Sequence, residues 1–216
     1  MSALQYIADN WGTIGPEIVT HLLIVVACMA AATIVGVGLG ILSARNERVS
    51  AVALGTTSVI LTIPSFALFG LLTIWLGLGN APVVVGLALY ALLPVTRNTR
   101  AGILGVDPAA VEAARGMGMS GRQILTRVEL PLALPVVLAG IRQATVMVVA
   151  IATVGATVGA DDLGRPILNA VGRTTGSYER IIAGILPVAA MGILADAVLA
   201  MFERSLRRGR VAVSPA

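Results

Sequence analysis

The sequence predicts an all-α membrane protein: a single domain, residues 1–216, that crosses the bilayer with about five helices. Its 216 residues are 57% hydrophobic and only 12% charged, whereas soluble domains carry about 25% charged residues. The apolar segments are long and unbroken, which fits helices and does not fit the alternating strands of a membrane barrel. The basic residues are all arginine and lie mostly between these segments, so the net charge of +4 indicates membrane topology and not nucleic-acid binding.

The five predicted spans each approach the about 20 apolar residues needed to cross a ~30 Å hydrocarbon core. They cover residues 18–42, 51–77, 81–103, 130–158 and 180–202. The first contains Gly36, Gly38 and Gly40, a spacing of small residues that is typical of close helix packing. Pro64 removes a backbone donor inside the second span and predicts a kink there. No basic residue precedes the first span, so we expect it to stay in the mature protein and not to be a cleaved signal peptide.

The distribution of arginine predicts the orientation of these spans. With the amino terminus outside, most arginines that flank the spans face the cytoplasm, and only Arg165, Arg173 and Arg180 lie outside. The positive-inside rule favours this arrangement. We therefore expect the carboxyl terminus and the loop 107–129 in the cytoplasm. The loop 159–178 is expected outside, with a short helix at the membrane surface.

The loop 107–129 carries signals for two short helices. Asp107 and the proline after it predict a helix start, and Ser120 with Gln123 forms a capping-box pattern for a second helix. Glycines between the two helices permit a turn. The second helix places its apolar side chains on one face, so that Glu129 is expected to meet water or lipid headgroups. Such a hairpin either caps the bundle at the lipid surface or docks a cytoplasmic partner.

The hairpin resembles a known motif. It is similar to the EAA motif of ABC importer permeases, which has Glu-Ala-Ala, a glycine six positions after the glutamate, and an ending of aliphatic residue, any residue, Leu and Pro. The matching residues are Glu112, Ala113, Ala114, Gly118, Val128, Leu130 and Pro131. In that family the motif forms a coupling helix that inserts into a cleft of the ATP-binding subunit. The resemblance implies an ATPase-coupling surface formed by Glu112, Ala113, Ala114, Arg115, Gly116 and Gly118.

Longer stretches resemble the osmoprotectant branch of these permeases, which imports glycine betaine, carnitine and choline. They cover residues 61–79, 91–103, 112–119, 128–146 and 196–206. The resemblance implies a multi-pass subunit in the cytoplasmic membrane of a prokaryote. Its implied partners are cytoplasmic ATPase subunits, a second permease subunit and an extracytoplasmic substrate-binding protein.

One loop departs from the pattern of this branch. Asp161 and Asp162 stand where the branch commonly has two glycines. Because glycine is the most permissive residue in a turn, we expect the two acids to stiffen the loop and to add negative charge outside.

The sequence predicts no catalytic residue, no metal site and no cofactor bound by this chain. A nucleotide-binding phosphate loop requires a lysine, and the chain has none. We therefore expect ATP and Mg²⁺ to bind a partner subunit, so that this chain is not an enzyme by itself. His21 and Cys28 each lack a second residue of the same kind, which disfavours metal ligation.

Two charged residues fall inside predicted spans. Arg142 lies ~16 Å past Pro131 and Asp196 ~12 Å before Arg204, at about 1.5 Å per residue, so the two are at similar depths from the cytoplasmic side. Charges at such depth usually face a bundle interior or an aqueous cavity. We expect either a structural ion pair between them, a role in the translocation path or its gate, or snorkelling to the interface. Phe66, Phe69 and Tyr90 are further candidates for lining the path, with core packing as the alternative.

Other functions fit parts of this pattern. A methionine-type permease also has a short five-helix core and an EAA loop. A stand-alone ion-coupled carrier usually has acidic residues near the midplane and paired broken helices in matching halves, whereas this chain has one candidate acid and no convincing repeat. A purely structural membrane anchor would leave the hairpin unexplained. The permease subunit of an ATP-driven osmoprotectant importer is the leading hypothesis.

Overall fold

The described part of the chain is built from helices. The computed structural model describes residues 3–171 and 177–208, and it has no strand within those ranges, which confirms the all-α prediction. In chain order the helices are α1 Ala3–Asp9, α2 Trp11–Arg45, α3 Glu47–Thr62, α4 Ser65–Leu76, α5 Asn80–Leu104, α6 Pro108–Gly116, α7 Gly121–Ile124, α8 Leu130–Ala152, α9 Gly164–Ala170 and α10 Ser177–Arg208. A π-helical turn, Leu125–Glu129, joins α7 to α8, and a 3₁₀ turn, Thr153–Val158, follows α8.

The helices account for the predicted spans. Four described stretches are long and apolar enough to cross a membrane, namely Trp11–Arg45, Asn80–Leu104, Gly121–Val158 and Tyr178–Ser205. The remaining predicted span is the bent pair α3 and α4. Several observed helices run past the predicted ends; α2, for example, begins at Trp11 and not at residue 18. Hydropathy marks only the apolar part of a helix, whereas backbone hydrogen bonding propagates into the polar flanks.

The predicted kink at Pro64 is a complete break. α3 and α4 meet at 102°, and Ile63 between them has extended backbone angles, as expected for a residue before proline. The break frees the carbonyl of Ile63, which accepts a hydrogen bond from the hydroxyl of Tyr90 at 2.6 Å. The fold therefore satisfies this backbone group with a side chain of α5.

The loop after α8 contains the predicted short helix, which is α9. It contacts α10 and the 3₁₀ turn, so it packs against the end of the bundle opposite to the hairpin. Arg173, which belongs to the same loop in the sequence, lies outside the described residues.

α5 is the central helix of the bundle and contacts α2, α3, α4 and α8. α2 approaches it closely because two of the predicted small residues face it. A Cβ atom on Gly36 would lie 2.8 Å from Cγ1 of Val95, and one on Gly40 would lie 2.9 Å from the carbonyl oxygen of Thr96. Gly38 faces open space, so the packing role belongs to Gly36 and Gly40.

We expect Gly40→Ala to destabilise the folded protein by about 1–3 kcal/mol, the usual cost of overpacking a close contact. The added methyl group meets the backbone of Thr96, which cannot move away by changing rotamer. Gly38→Ala is the matched control and should be neutral or slightly stabilising, since alanine favours helix. Thermal unfolding midpoints in detergent measure the difference, and equal midpoints for the two variants would contradict the packing assignment.

Candidate functional site

The hairpin, residues 107–129, begins each of its helices with the predicted caps. Oδ1 of Asp107 accepts a hydrogen bond from the amide of Ala109 at 2.9 Å. Ser120 and Gln123 form the capping box: the side chain of Gln123 accepts from the amide of Ser120 at 2.8 Å, and the Ser120 hydroxyl accepts from the amide of Gln123 at 3.4 Å. These bonds satisfy amides that are free at a helix start. The hairpin is thus specified by its own local sequence.

Gly118 makes the turn between the two arms of the hairpin, the first of which is α6 and the second α7 with the π turn. Its φ is 79°, in the left-handed region that favours glycine. Its amide donates to the carbonyl of Arg115 at 3.0 Å, and the amide of Met119 donates to the carbonyl of Ala114 at 3.2 Å. Gly116 is the last residue of α6, so the reversal of the chain depends on Gly118.

The residues predicted to couple to an ATPase do not all reach the surface. The exposed ones are Glu112, Ala113, Arg115, Gly116 and Gly118. Ala114 is only 1% exposed, and α6 contacts α7 and the π turn, so this small side chain lets the two arms pack. Beside the exposed group, Met117 is 75% exposed, a candidate contact residue that the motif comparison did not include.

Glu129 does not face water, so that expectation is wrong. It is 4% exposed, and its carboxylate accepts a charged hydrogen bond from Arg45, the last residue of α2. Arg122 and Thr126 are exposed. In an uninterrupted α-helix Glu129 would share their face, but the π turn inserts an extra residue and rotates the helix that follows.

Arg142 and Asp196 form the predicted ion pair between α8 and α10. Nε of Arg142 donates to Oδ1 of Asp196 at 2.5 Å, and Nη2 donates to Oδ2 at 2.8 Å. Nη1 also lies 3.5 Å from Oε2 of Glu203, a third member that the sequence did not reveal. The two paired side chains are still 36% and 38% exposed in the single chain. Because lipid does not solvate charges, this side of the bundle must face an aqueous cavity or another protein surface.

The three candidate aromatic residues occupy different environments. Phe69 is fully buried and Tyr90 is 2% exposed. Both therefore pack inside this chain in the present conformation, and Tyr90 also holds the break before Pro64. Phe66, in the first turn of α4, is 63% exposed and is the one directed away from the core.

The two aspartates of the loop after α8 also differ from each other. The carboxylate of Asp161 is exposed and pairs with Arg165 at 2.5 Å. Asp162 is fully buried; its Oδ1 accepts from the amide of Gly164 at 2.7 Å, and its Oδ2 has no hydrogen-bond partner among the described residues. The expectation that both acids add surface charge is therefore wrong for Asp162.

Burial raises the pKa of Asp162 from 3.8 to about 7. The hydrogen bond from Gly164 opposes this increase, the carboxylates of Glu17 and Asp161 add to it, and the charge of Arg165 opposes it. The carboxyl group is thus largely neutral below neutral pH, which is what a carboxyl group with an unpaired buried oxygen requires.

Comparison with known proteins places these features in a family. Residues 36–208 match the family described as binding-protein-dependent transport system inner membrane component. The chain is 42% identical over 201 residues to the glycine betaine/carnitine/choline transport system permease protein OpuCD of Bacillus subtilis, covering 93% of this chain and 87% of the relative. It is 40% identical to the choline transport system permease protein OpuBD of the same organism, covering 94% and 89%. It is 39% identical to the osmoprotectant import permease protein OsmW of Salmonella typhimurium, covering 92% and 94%.

Solved structures share the fold. A chain of the inward-facing MetNI methionine ABC transporter superimposes with a TM-score of 0.79 at 19% identity, covering 92% of this chain and 98% of that one. A chain of an amino acid ABC transporter superimposes with a TM-score of 0.77 at 20% identity, covering 93% and 97%. At these identities the likeness concerns the fold and carries no information on the transported solute.

We expect the charges of Arg142 and Asp196 to be exchangeable. Arg142→Asp places three carboxylates together, and Asp196→Arg places two guanidinium groups together, so each single variant should lower the yield of folded protein and its thermal midpoint. The double variant should recover most of both, with a residual deficit because Glu203 then faces the new aspartate. Size-exclusion profiles and unfolding midpoints in detergent measure this; a double variant no better than the worse single one would argue against the pair.

We expect Asp162 to make the stability of the folded protein depend on pH. With a raised pKa, its contribution is fully present below the usual aspartate pKa of 3.8, is lost as pH rises to about 7, and is constant above. The slope is at most about 1.4 kcal/mol per pH unit. Asp162→Asn should therefore gain thermal midpoint relative to the parent between pH 4 and 7, and Asp161→Asn, at the exposed position, should not. A parent and an Asp162→Asn variant with parallel pH profiles would contradict the burial argument.

Proposed function

Because the chain belongs to the family of binding-protein-dependent transport system inner membrane components, we propose that it is the membrane-spanning subunit of an ATP-driven importer for a small osmoprotectant. The proposed solutes are glycine betaine, choline and carnitine. One observation carries the proposal: the similarity to permeases named for these solutes extends over nearly the whole chain, at 38–42% identity. It is not confined to the hairpin, which importers of many solutes have in common.

The hairpin is the proposed contact with a cytoplasmic ATPase subunit, which would bind and hydrolyse ATP with Mg²⁺. Its tip is short, locally capped and exposed, and it presents Ala113 for close approach between the polar side chains of Glu112 and Arg115. The proposed contact implies one orientation in the membrane, with the hairpin and the carboxyl terminus in the cytoplasm and the amino terminus outside. Arg45, Arg100, Arg115, Arg122 and Arg127 support it, since all lie at the hairpin end.

A second permease subunit is the proposed neighbour of the side that carries Arg142 and Asp196. The ion pair is one-third exposed in the single chain, and a partner subunit or a water-filled path between subunits would remove it from lipid. We propose that Arg142, Asp196 and Phe66 border this path. Phe69 and Tyr90 would act on it indirectly, by holding α4 and α5. A soluble binding protein would deliver the solute at the end where α9 lies.

Uptake by the reconstituted complex tests the proposed function. The chain, purified with its ATPase subunits and binding protein and placed in vesicles, should accumulate radiolabelled glycine betaine, carnitine or choline only when ATP is supplied to the cytoplasmic side. Methionine uptake in place of these solutes would indicate the methionine-type permease, whose solved relatives have the same fold. Uptake that persists without the ATPase subunits would indicate an ion-coupled carrier.

Bulky substitutions test the role of the hairpin tip. We expect Glu112→Trp and Gly118→Leu to leave the chain inserted in the membrane but to reduce co-purification of the ATPase subunits at least tenfold. The first blocks close approach, and the second strains a backbone with φ of 79°. Arg48→Trp is the control, because Arg48 is exposed at the same end of the bundle but lies on α3. Normal retention of ATPase subunits and normal uptake by both hairpin variants would exclude this surface as the contact.

A further inference from the structure

α2 and α3 meet at a sharp junction, residues 43–47, which we call the elbow. Asn46 alone leaves the helical conformation there, with φ of −146° and ψ of 117°. Its side chain caps α3 by accepting from the amide of Arg48 at 2.9 Å. The elbow lies beside the hairpin and is tied to the helices on both sides of it.

The first tie comes from α5, which leads into the first arm of the hairpin. Nε of Arg100 donates to the carbonyl of Ser43 at 3.3 Å, and Nη2 donates to Oε1 of Glu47 at 2.8 Å. The side chain of Glu47 is 86% exposed. An ion pair in such a position is screened by water and adds little.

The second tie comes from the other arm and is of a different kind. Arg45 binds Glu129, the last residue of the π turn, and only 6% of the Glu129 side chain is exposed. The pair borders a cleft beneath α6 that is also lined by Arg115 of the proposed coupling surface. The side chain of Arg45 is 50% exposed, so separating the pair would return Arg45 to water but leave the buried carboxylate of Glu129 without this partner. Such a carboxylate is strongly disfavoured, so this tie resists separation where the first does not.

The π turn explains why such a tie matters. α7, the π turn and α8 form one continuous helical stretch, so a displacement of the hairpin acts directly on α8. However, π turns interrupt the regular hydrogen bonding of a helix and are places where helices bend. α2 packs along α5 and contacts α8 inside the bundle, but those contacts do not hold the turn itself. A contact at the turn is needed to join the hairpin end of α2 directly to the point where the helix can bend.

We propose that the Arg45–Glu129 ion pair transmits the movement of the hairpin to α2, so that α2 and α8 move together when the ATPase subunit displaces the hairpin. The inference rests on the proposed function. Arg45 and Glu129 are positioning residues, since neither is among the residues that we propose to border the solute path. Their role is to convert a movement at one loop into a movement of two spanning helices.

The ratio of solute imported to ATP hydrolysed tests this inference in the vesicle system described above, with radiolabelled glycine betaine as the probe. Glu129→Gln and Arg45→Gln should keep the ATPase subunits bound and ATP hydrolysis within about twofold of the parent, while the imported solute per ATP falls at least tenfold. The doubly reversed variant, Arg45→Glu with Glu129→Arg, should restore most of that ratio. Glu47→Gln, at the exposed tie, is the matched control and should leave it unchanged.

Several outcomes would overturn the inference. An unchanged ratio in Glu129→Gln would do so, and so would an assembled but uncoupled doubly reversed variant. If the single variants fail to assemble, the doubly reversed variant decides: a restored ratio supports transmission, and failure to assemble shows a role in folding alone, against the proposal. A parent complex without ATP-driven uptake would count against the proposed function, whereas parent uptake with a normal Glu129→Gln ratio counts only against the ion pair.

Discussion

Lipid provides no hydrogen-bond partners, so the backbone groups that this chain carries into the bilayer must be satisfied by the protein. The broken span shows the consequence. Pro64 frees the carbonyl of Ile63, and Tyr90 satisfies it from the neighbouring helix. Thr57 solves the same problem locally by donating to the carbonyl of Ala53, one turn back, at 2.7 Å. The bond from Tyr90 therefore fixes the break between α3 and α4 against α5, whereas the bond of Thr57 stays within α3.

The same constraint separates two kinds of charged residue. Charges at the hairpin end reach water and need no partner, which is why Arg115 and Arg122 can be exposed there. Glu129 is close to that water but buried, and it is paired. Arg142 is far from it and is paired with a carboxylate of another helix. Both pairs, Arg45 with Glu129 and Arg142 with Asp196, join side chains of different helices and so restrict the distance between those helices.

Much of the fold and part of the candidate site could be predicted, because they depend on local sequence. A capping motif spans only one helical turn of sequence, so Asp107 and Ser120 predict the starts of the two hairpin helices correctly. Glu129 could not be placed, since a π turn shifts the helical register without any signal in the residue types. The environment of Asp162 depends on helices that are distant in sequence, so its burial could not be predicted either. Phe66 and Phe69 are three residues apart in one apolar run, and only the position of α5 decides which one enters the core.

α5 and α10 differ in how their positions are determined. In the most apolar part of each, 56% of α5 is buried in the chain but only 11% of α10. α5 is held by the close approach of α2 at Gly36, which faces the side chain of Val95, and at Gly40, which faces the backbone carbonyl of Thr96; the backbone contact allows no adjustment by side-chain rotation. α10 has one close approach near its start, where a Cβ atom on Gly184 would lie 3.1 Å from the carbonyl oxygen of Leu163. Further along the helix, Arg142 with Asp196 is its polar link to α8. The apolar exposed side chains of α10, such as Ile193 and Leu194, suit lipid or another protein surface, whereas the side that carries Asp196 suits only water or protein. A change at that second surface would reach α8 through Arg142.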